Sequence, residues 1–261
     1  MLEALVDRYD LEPGVRRLRR LITTIFRRVG AQIALGERPP GEFSHHELEP
    51  LLGPPAPETV VGSAQRRAEV GRAAGLARTV EGGRVTWVEA LQAEPAHTLP
   101  AFPTGVRAEA LAAAFAFVRS HAQQLRVDPD SLRPERVRVG LASPTTLDES
   151  ARAGLDLAAL LALASLASDR PVRPDVAAVG GLTLRGELTP IEGLPEMVLA
   201  AGRCGIRTVL VPAVSHGALV RALSPSTLAG LRLVAVDTAA EAARRSLIDI
   251  VIARGIESES A

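Results

Sequence analysis

The 261-residue chain contains no lysine: each of its 30 basic residues is an arginine. That absence excludes several kinds of chemistry. A phosphate-binding loop of the GxxxxGK[ST] type needs its lysine amine and cannot be formed from this sequence. A Ser–Lys nucleophile pair, a Schiff-base lysine and a lysine general base are excluded for the same reason. Arginine is no substitute, because its guanidinium keeps its proton up to a pKa above ~12. A genome rich in arginine codons drains lysines from a surface, but it does not remove a lysine that a reaction requires.

Cysteine is nearly absent too. Cys204 stands alone, so no internal disulfide can form, and its place in the last turn of an apolar helix marks it as a small core residue. A reducing cytoplasm is the expected location. Charge of one sign is also missing. The 30 acidic residues balance the arginines, so net charge gives no reason to expect a polyanionic partner. The opening MLEALVDRYD lacks the basic-then-apolar order of a secretory leader. No window approaches the ~18 apolar residues of a membrane span. What the chain does hold is apolar material, 47% of its residues, enough for a sizeable core.

Periodicity divides the chain. Residues 1–36 read as a helical segment. After the turn Glu12-Pro13-Gly14, the positions Val15, Leu18, Leu21, Ile22, Ile25, Phe26, Val29 and Ile33 recur at three-four spacing. The other face carries Arg16, Arg17, Arg19, Arg20, Arg27 and Arg28, read as solvated. Residues 37–62 form a proline-rich connector. In it, Ser44-His45-His46-Glu47 is a capping box that opens a short helix to Leu52, closed by Gly53-Pro54-Pro55. His45 and His46 are adjacent, so they point to different sides of that helix, and no metal site is expected there.

From Val70 onward strands and helices mix. Arg84–Glu89 alternates as a strand after Gly82-Gly83, and Val137, Val139 and Leu141 alternate as a second. Gly105–Leu125 reads as one helix, with Leu111, Phe115 and Val118 on a stripe. Residues 153–168, AGLDLAALLALASLAS, are apolar almost all round and read as a buried helix. Val176–Leu184, Thr208–Val211 and Leu231–Val236 are further strands, and Leu194–Cys204 is a helix stopped by Gly205. Asp237-Thr238-x-x-Glu241 caps a last helix expected to reach about Ala253, ahead of a polar tail at 255–261.

Several words in order resemble the proteolytic domain of Lon proteases. They are Arg170-Pro171-Val172-Arg173-Pro174-Asp175-Val176-Ala177, Leu182-Thr183-Leu184-Arg185-Gly186, Pro190-Ile191-x-Gly193-Leu194, Leu199-Ala200-Ala201 and Gly205-Ile206-Arg207-Thr208-Val209-Leu210-Val211-Pro212. Upstream, Ala68-Glu69-Val70-Gly71-x-Ala73-x-Gly75-Leu76-Ala77 resembles the stretch that opens that domain, and Leu51-Leu52-Gly53-Pro54-Pro55 the connector before it. Gly14-Val15-Arg16 and its helix are similar to the end of the helical part of the family's ATPase module. There the arginine senses nucleotide; here Arg16 is read as solvated, since no sequence in the chain can supply the nucleotide-binding core. The resemblance implies an α/β fold of the Lon proteolytic type, a mixed sheet with packed helices, at 63–254, preceded by the helical segment.

The resemblance also implies a Ser–Lys peptidase dyad, whose buried lysine is a neutral amine able to take the serine proton. The serine belongs at the start of the all-apolar helix, where this chain reads Ser150-Ala151-Arg152-Ala153-Gly154. Aligning on Ala153-Gly154 places Arg152 in the serine slot; counting back from Arg170-Pro171 places Gly154 there. The lysine slot, in the first turn after Gly193-Leu194, holds Met197. No catalytic residue is therefore expected. Ser150 is the fallback nucleophile, in a loop with Ser143, Thr145, Thr146, Asp148 and Glu149, and His97, His121 and His216 are bases without a motif. Asp156 is expected to cap the buried helix or to pair with Arg152.

The expected function is that of a catalytically degenerate Lon-like domain acting as an oligomeric scaffold, binding or regulatory module. The alternative is an ATP-independent Lon-like serine endopeptidase with a relocated nucleophile. The resemblance implies a homo-oligomer, a ring of six in the family's manner; a full-length Lon or another protein is the other partner considered. Lon-like domains without the dyad also serve as scaffolds in DNA-repair ATPases, but the neutral net charge weakens a DNA-linked role, and neither nucleic acid nor membrane is expected. No cofactor or metal is expected.

Overall fold

The computed structural model describes residues 2, 5–6, 9–10, 15–38, 43, 45–54, 67–79, 82–92, 106–128, 130–134, 136–142, 147, 152–225 and 227–249. Near the N-terminus, α1 (Arg16–Ala34) and α2 (His45–Leu52) pack together through a small cluster of Leu5, Tyr9, Ile25, Leu48 and Leu51. Arg28 donates to the Leu51 carbonyl at 2.6 Å, which fixes one helix on the other. Ser44 of the expected capping box lies outside the described residues.

The remainder is a sheet with helices on both faces. β1 (Arg72–Thr79) pairs antiparallel with β2 (Gly82–Gln92), and β2 antiparallel with β3 (Val137–Leu141). On its other side β1 runs parallel to β4 (Val176–Ala178), then β7 (Thr208–Pro212) and β8 (Arg232–Val236), giving the order β3-β2-β1-β4-β7-β8. β5 (Gly181–Leu182) and β6 (Leu188–Thr189) form a separate two-stranded hairpin.

Alternation along the strands assigns the two faces. Ala73, Ala77, Val88, Ala90, Val139, Val176, Ala178 and Leu210 point toward α3 (Ala108–Ser120), α5 (Asp156–Ser168) and α8 (Ala239–Ser246). Ala74, Leu76, Trp87, Ala177, Val179, Val209 and Val211 point toward α6 (Leu194–Arg203) and α7 (Ala213–Ala222). The parallel strands are apolar on both faces because both are covered. This is the expected α/β architecture, with α5 as the buried helix that 153–168 foretells.

Three expectations need correction. The helix expected over Gly105–Leu125 spans Ala108–Ser120, breaks at His121 and resumes as the short α4 (Ala122–Leu125). The His121 ring stacks on Phe117 with centroids 4.0 Å apart, and its Nδ1 lies 2.9 Å from the Ser120 hydroxyl. The strand expected over Val176–Leu184 is cut at Gly180, whose φ of +152° turns the chain out of the sheet into the β5–β6 hairpin. The last helix ends at Ser246 rather than near Ala253. Leu247 is buried and extended, bridges to Val172, and is followed by an Ile248 N–H that donates to the Pro171 carbonyl at 2.9 Å. Its start is as read: Thr238 accepts from the Glu241 N–H at 3.2 Å, and the Asp237 N–H donates to the Glu241 carboxylate at 3.1 Å.

Two glycines test this packing in opposite directions. Gly186 has φ +78°, and a Cβ there would collide with the Phe117 ring. Gly202 lies inside α6 with nothing within 4 Å of a built Cβ. In urea denaturation, Gly186→Ala should cost about 3 kcal/mol from backbone strain and overpacking. Gly202→Ala should add about 0.5–1 kcal/mol.

Candidate functional site

Two helix starts carry the positions that sequence reasoning singled out. At the first, Arg152 opens a short 3-10 turn (Ala153–Leu155) that runs straight into α5. Gly154 is pressed against β1: a Cβ there would collide with the Leu76 carbonyl and lie 3.3 Å from Ile191. Arg152 is half-buried, and its Nε is buried without a hydrogen-bond partner among the described residues.

At the second, Gly193 adopts φ +75° as the cap residue and Pro195 occupies the first turn of α6, where its missing N–H costs nothing. This turn lies flat on β2, because a Cβ on Gly83 would collide with the Glu196 carbonyl and lie 2.5 Å from the Met197 Cα. Glu196 faces outward and meets Arg78 at 3.6 Å. Met197 faces inward, is 1% exposed, and shares its cluster with Leu76, Trp87, Leu194, Val198 and Ala201. Beyond it, the Arg72 guanidinium stands over the Trp87 ring, 4.8 Å from the centroid.

Asp156 is fully buried, yet it neither caps α5 nor pairs with Arg152. The Arg107 guanidinium, at the start of α3, grips both carboxylate oxygens, and the Leu182 N–H donates to them as well. Burial pushes the Asp156 carboxyl above its ordinary value, while the Arg107 hydrogen bonds and charge pull it back. Sequence reasoning missed Arg107. It lies 49 residues from its partner in a stretch with no motif, so no short-range pattern links the two.

Of the other candidates, Ser150, Ser143, Thr145, Thr146, Asp148, Glu149 and His97 lie outside the described residues. His121 is engaged at the helix break with Ser120 and Phe117. His216 is half-buried in α7, on a different element from either helix start. Among the described residues no group of three or more His, Cys, Asp or Glu is placed to hold a metal ion, and no helix is long and apolar enough to cross a membrane.

A profile of the Lon protease (S16) C-terminal proteolytic domain matches residues 42–249. The chain is 37% identical over 216 residues to the Lon protease of Phenylobacterium zucineum, covering 81% of this chain and 26% of that protein. It is 36% identical over 214 residues to Lon protease 2 of Sorangium cellulosum, with 81% of this chain and 26% of the relative covered. With the Lon protease of Aquifex aeolicus it shares 32% identity over 244 residues, 92% of this chain and 30% of that protein. The chain thus spans between 26% and 30% of the length of these relatives.

The Asp156–Arg107 pair gives a pH test. An acid whose folded pKa is raised stabilises the fold most below its ordinary value and loses that contribution as pH rises through the folded pKa. Without Arg107 the buried carboxylate has lost its counter-charge, and its pKa climbs further. Arg107→Ala should cost about 3 kcal/mol at neutral pH. The cost should shrink on acidification, as the carboxyl takes up its proton. Denaturation midpoints of both proteins across a pH series measure this, and a pH-independent loss contradicts it.

Proposed function

The chain belongs to the Lon protease (S16) C-terminal proteolytic domain family, and from that premise we propose that it has left peptidase chemistry and works as an oligomeric scaffold or binding module. Met197 carries this reading. Family chemistry needs an amine in the first turn after Gly193-Leu194, buried enough to be neutral and close enough to take a serine proton. Here that turn sends a thioether into an apolar cluster. A thioether has no proton to give and no basic lone pair to receive one; it fills volume. No arginine can take over as base, and the chain holds no lysine that a rearrangement could bring in.

The serine side of the pair supports the same reading. Arg152 or Gly154 stands in that slot, depending on the alignment, and neither is a nucleophile. The words that persist around both slots are those the backbone needs. Gly193 supplies a positive φ, Gly154 and Gly83 allow close approach, and Leu194 and Ile206 pack. Self-association follows the family's habit, with a homo-oligomeric ring in the cytoplasm as the proposed form. Within it, 63–254 is the proteolytic-type domain and 1–36 the helical segment.

The test is direct. Purified chain incubated with unfolded casein and a fluorogenic peptide should show no turnover above a buffer control, and a serine-directed phosphonate should leave it unlabelled. Multiple-turnover cleavage that disappears in Ser150→Ala would establish the relocated-nucleophile peptidase instead. Light scattering should find several copies per particle; a monomer at all concentrations removes the oligomeric part of the proposal.

A further inference from the structure

The end of α6 opposite Met197 has its own opening. Between its last turn, the turn at 205–207 that leads to β7 and the turn at 227–231 lies an open cleft of about 530 Å³, within the usual size range of ligand pockets. Leu199, 38% exposed, lines it together with the buried Ile206 and Leu231. Arg203 and Arg207 stand at its rim, and among the described residues no carboxylate lines it.

Among the described residues these two arginine side chains have no other partner. A guanidinium at a helix C-terminus commonly serves the last carbonyls, but here backbone amides already do so. The Cys204, Gly205 and Ile206 N–H groups donate to the Ala200, Gly202 and Ala201 carbonyls at 3.0 Å each, with Gly205 at φ +71°. Asp175 accepts the Arg207 N–H on its backbone carbonyl, while both its carboxylate oxygens are taken by Arg173 at 3.1 and 2.8 Å. Among the described residues neither Arg203 nor Arg207 meets an acidic partner. In a chain whose charges balance, this cleft holds two uncompensated cations beside an exposed leucine.

We propose that this cleft binds an acidic peptide segment carrying an apolar side chain. Its carboxylates would meet Arg203 and Arg207, and its apolar side chain would cover Leu199, Ile206 and Leu231. A compact polyphosphate fits less well. It would leave the leucine uncovered, and the helix presents its C-terminus, whose dipole disfavours concentrated negative charge. Among the described residues no aromatic side chain lines the cleft to stack a base. Carboxylates spaced by an apolar side chain suit two guanidinium groups set apart, one at the end of α6 and one in the turn after it.

The proposal names a partner chemistry for the binding module and rests on that reading for its biological sense. The experiment uses a fluorescein-labelled Glu-Leu-Glu-Leu-Glu peptide and its Gln-Leu-Gln-Leu-Gln counterpart, followed by anisotropy on the full chain. The acidic peptide should bind saturably and about tenfold or more tighter than the neutral one. The double variant Arg203→Gln/Arg207→Gln should lose that preference. Gly202→Leu should block binding without lowering the melting temperature, because Gly202 lines the cleft and nothing lies within 4 Å of a Cβ built there. No saturable binding, equal affinity for the two peptides, or full binding by both variants overturns the cleft proposal. Turnover of casein by a chain that still binds the acidic peptide would remove the scaffold reading and leave the cleft standing.

Discussion

Helix α5 has no face turned to water, and much of the fold is arranged around that constraint. Every residue from Asp156 to Ser165 is buried. The first N–H groups of such a helix cannot turn to solvent, and each one left unpaired costs about 1–3 kcal/mol. The Leu157 N–H donates to the Gly180 carbonyl at 3.2 Å, which is in reach because the chain leaves the sheet at Gly180. Asp156 accepts from Leu182 and Arg107. The needs of one helix start therefore hold the head of α3, the end of β4 and the β5–β6 hairpin together. At the far end Ser165 ties α5 down again, accepting from the Gly71 N–H at 2.9 Å and donating to the Arg170 carbonyl at 2.6 Å.

A second constraint, close contact between backbones, acts once on each face of the sheet. The first turn of α6 lies on β2 at Gly83, and the 3-10 turn before α5 lies on β1 at Gly154. Both contacts demand glycine or a positive φ nearby, and neither asks anything of the side chains at Met197 or Arg152. On the proposed reading, the family pattern persists in its glycines, prolines and leucines while the groups that would move a proton are replaced. The backbone packing and the proton chemistry depend on different residues of the same words.

Exclusive use of arginine shapes the electrostatics in a similar way. Several guanidinium groups are committed: Arg107 to Asp156, Arg72 to Glu69 with its plane on Trp87, Arg173 to Asp175 and Arg245 to Glu241. A planar fork suits such paired contacts better than an ammonium does. Overall neutrality therefore says little about any one place. The buried pair under α5 and the uncompensated rim beside α6 exist in the same neutral chain.

The sequence by itself determined the fold class, the buried helix at 153–168, the alternating strands and the α8 capping box. All of these rest on interactions within a few residues: side-chain periodicity, caps and turn glycines. It did not reveal the break at His121, the cut at Gly180, the end of the last helix at Ser246 or the partner of Asp156. Only the tertiary structure decided those. The His121 break involves only its neighbours Ser120 and Phe117, but each of the others depends on a contact between segments far apart in the chain: Gly180 against Gly154 and Leu157, Leu247 against Val172, and Arg107 against Asp156. Local pattern records what a residue prefers. A buried amide, carboxylate or leucine settles on whichever distant group removes it from water at the lowest cost.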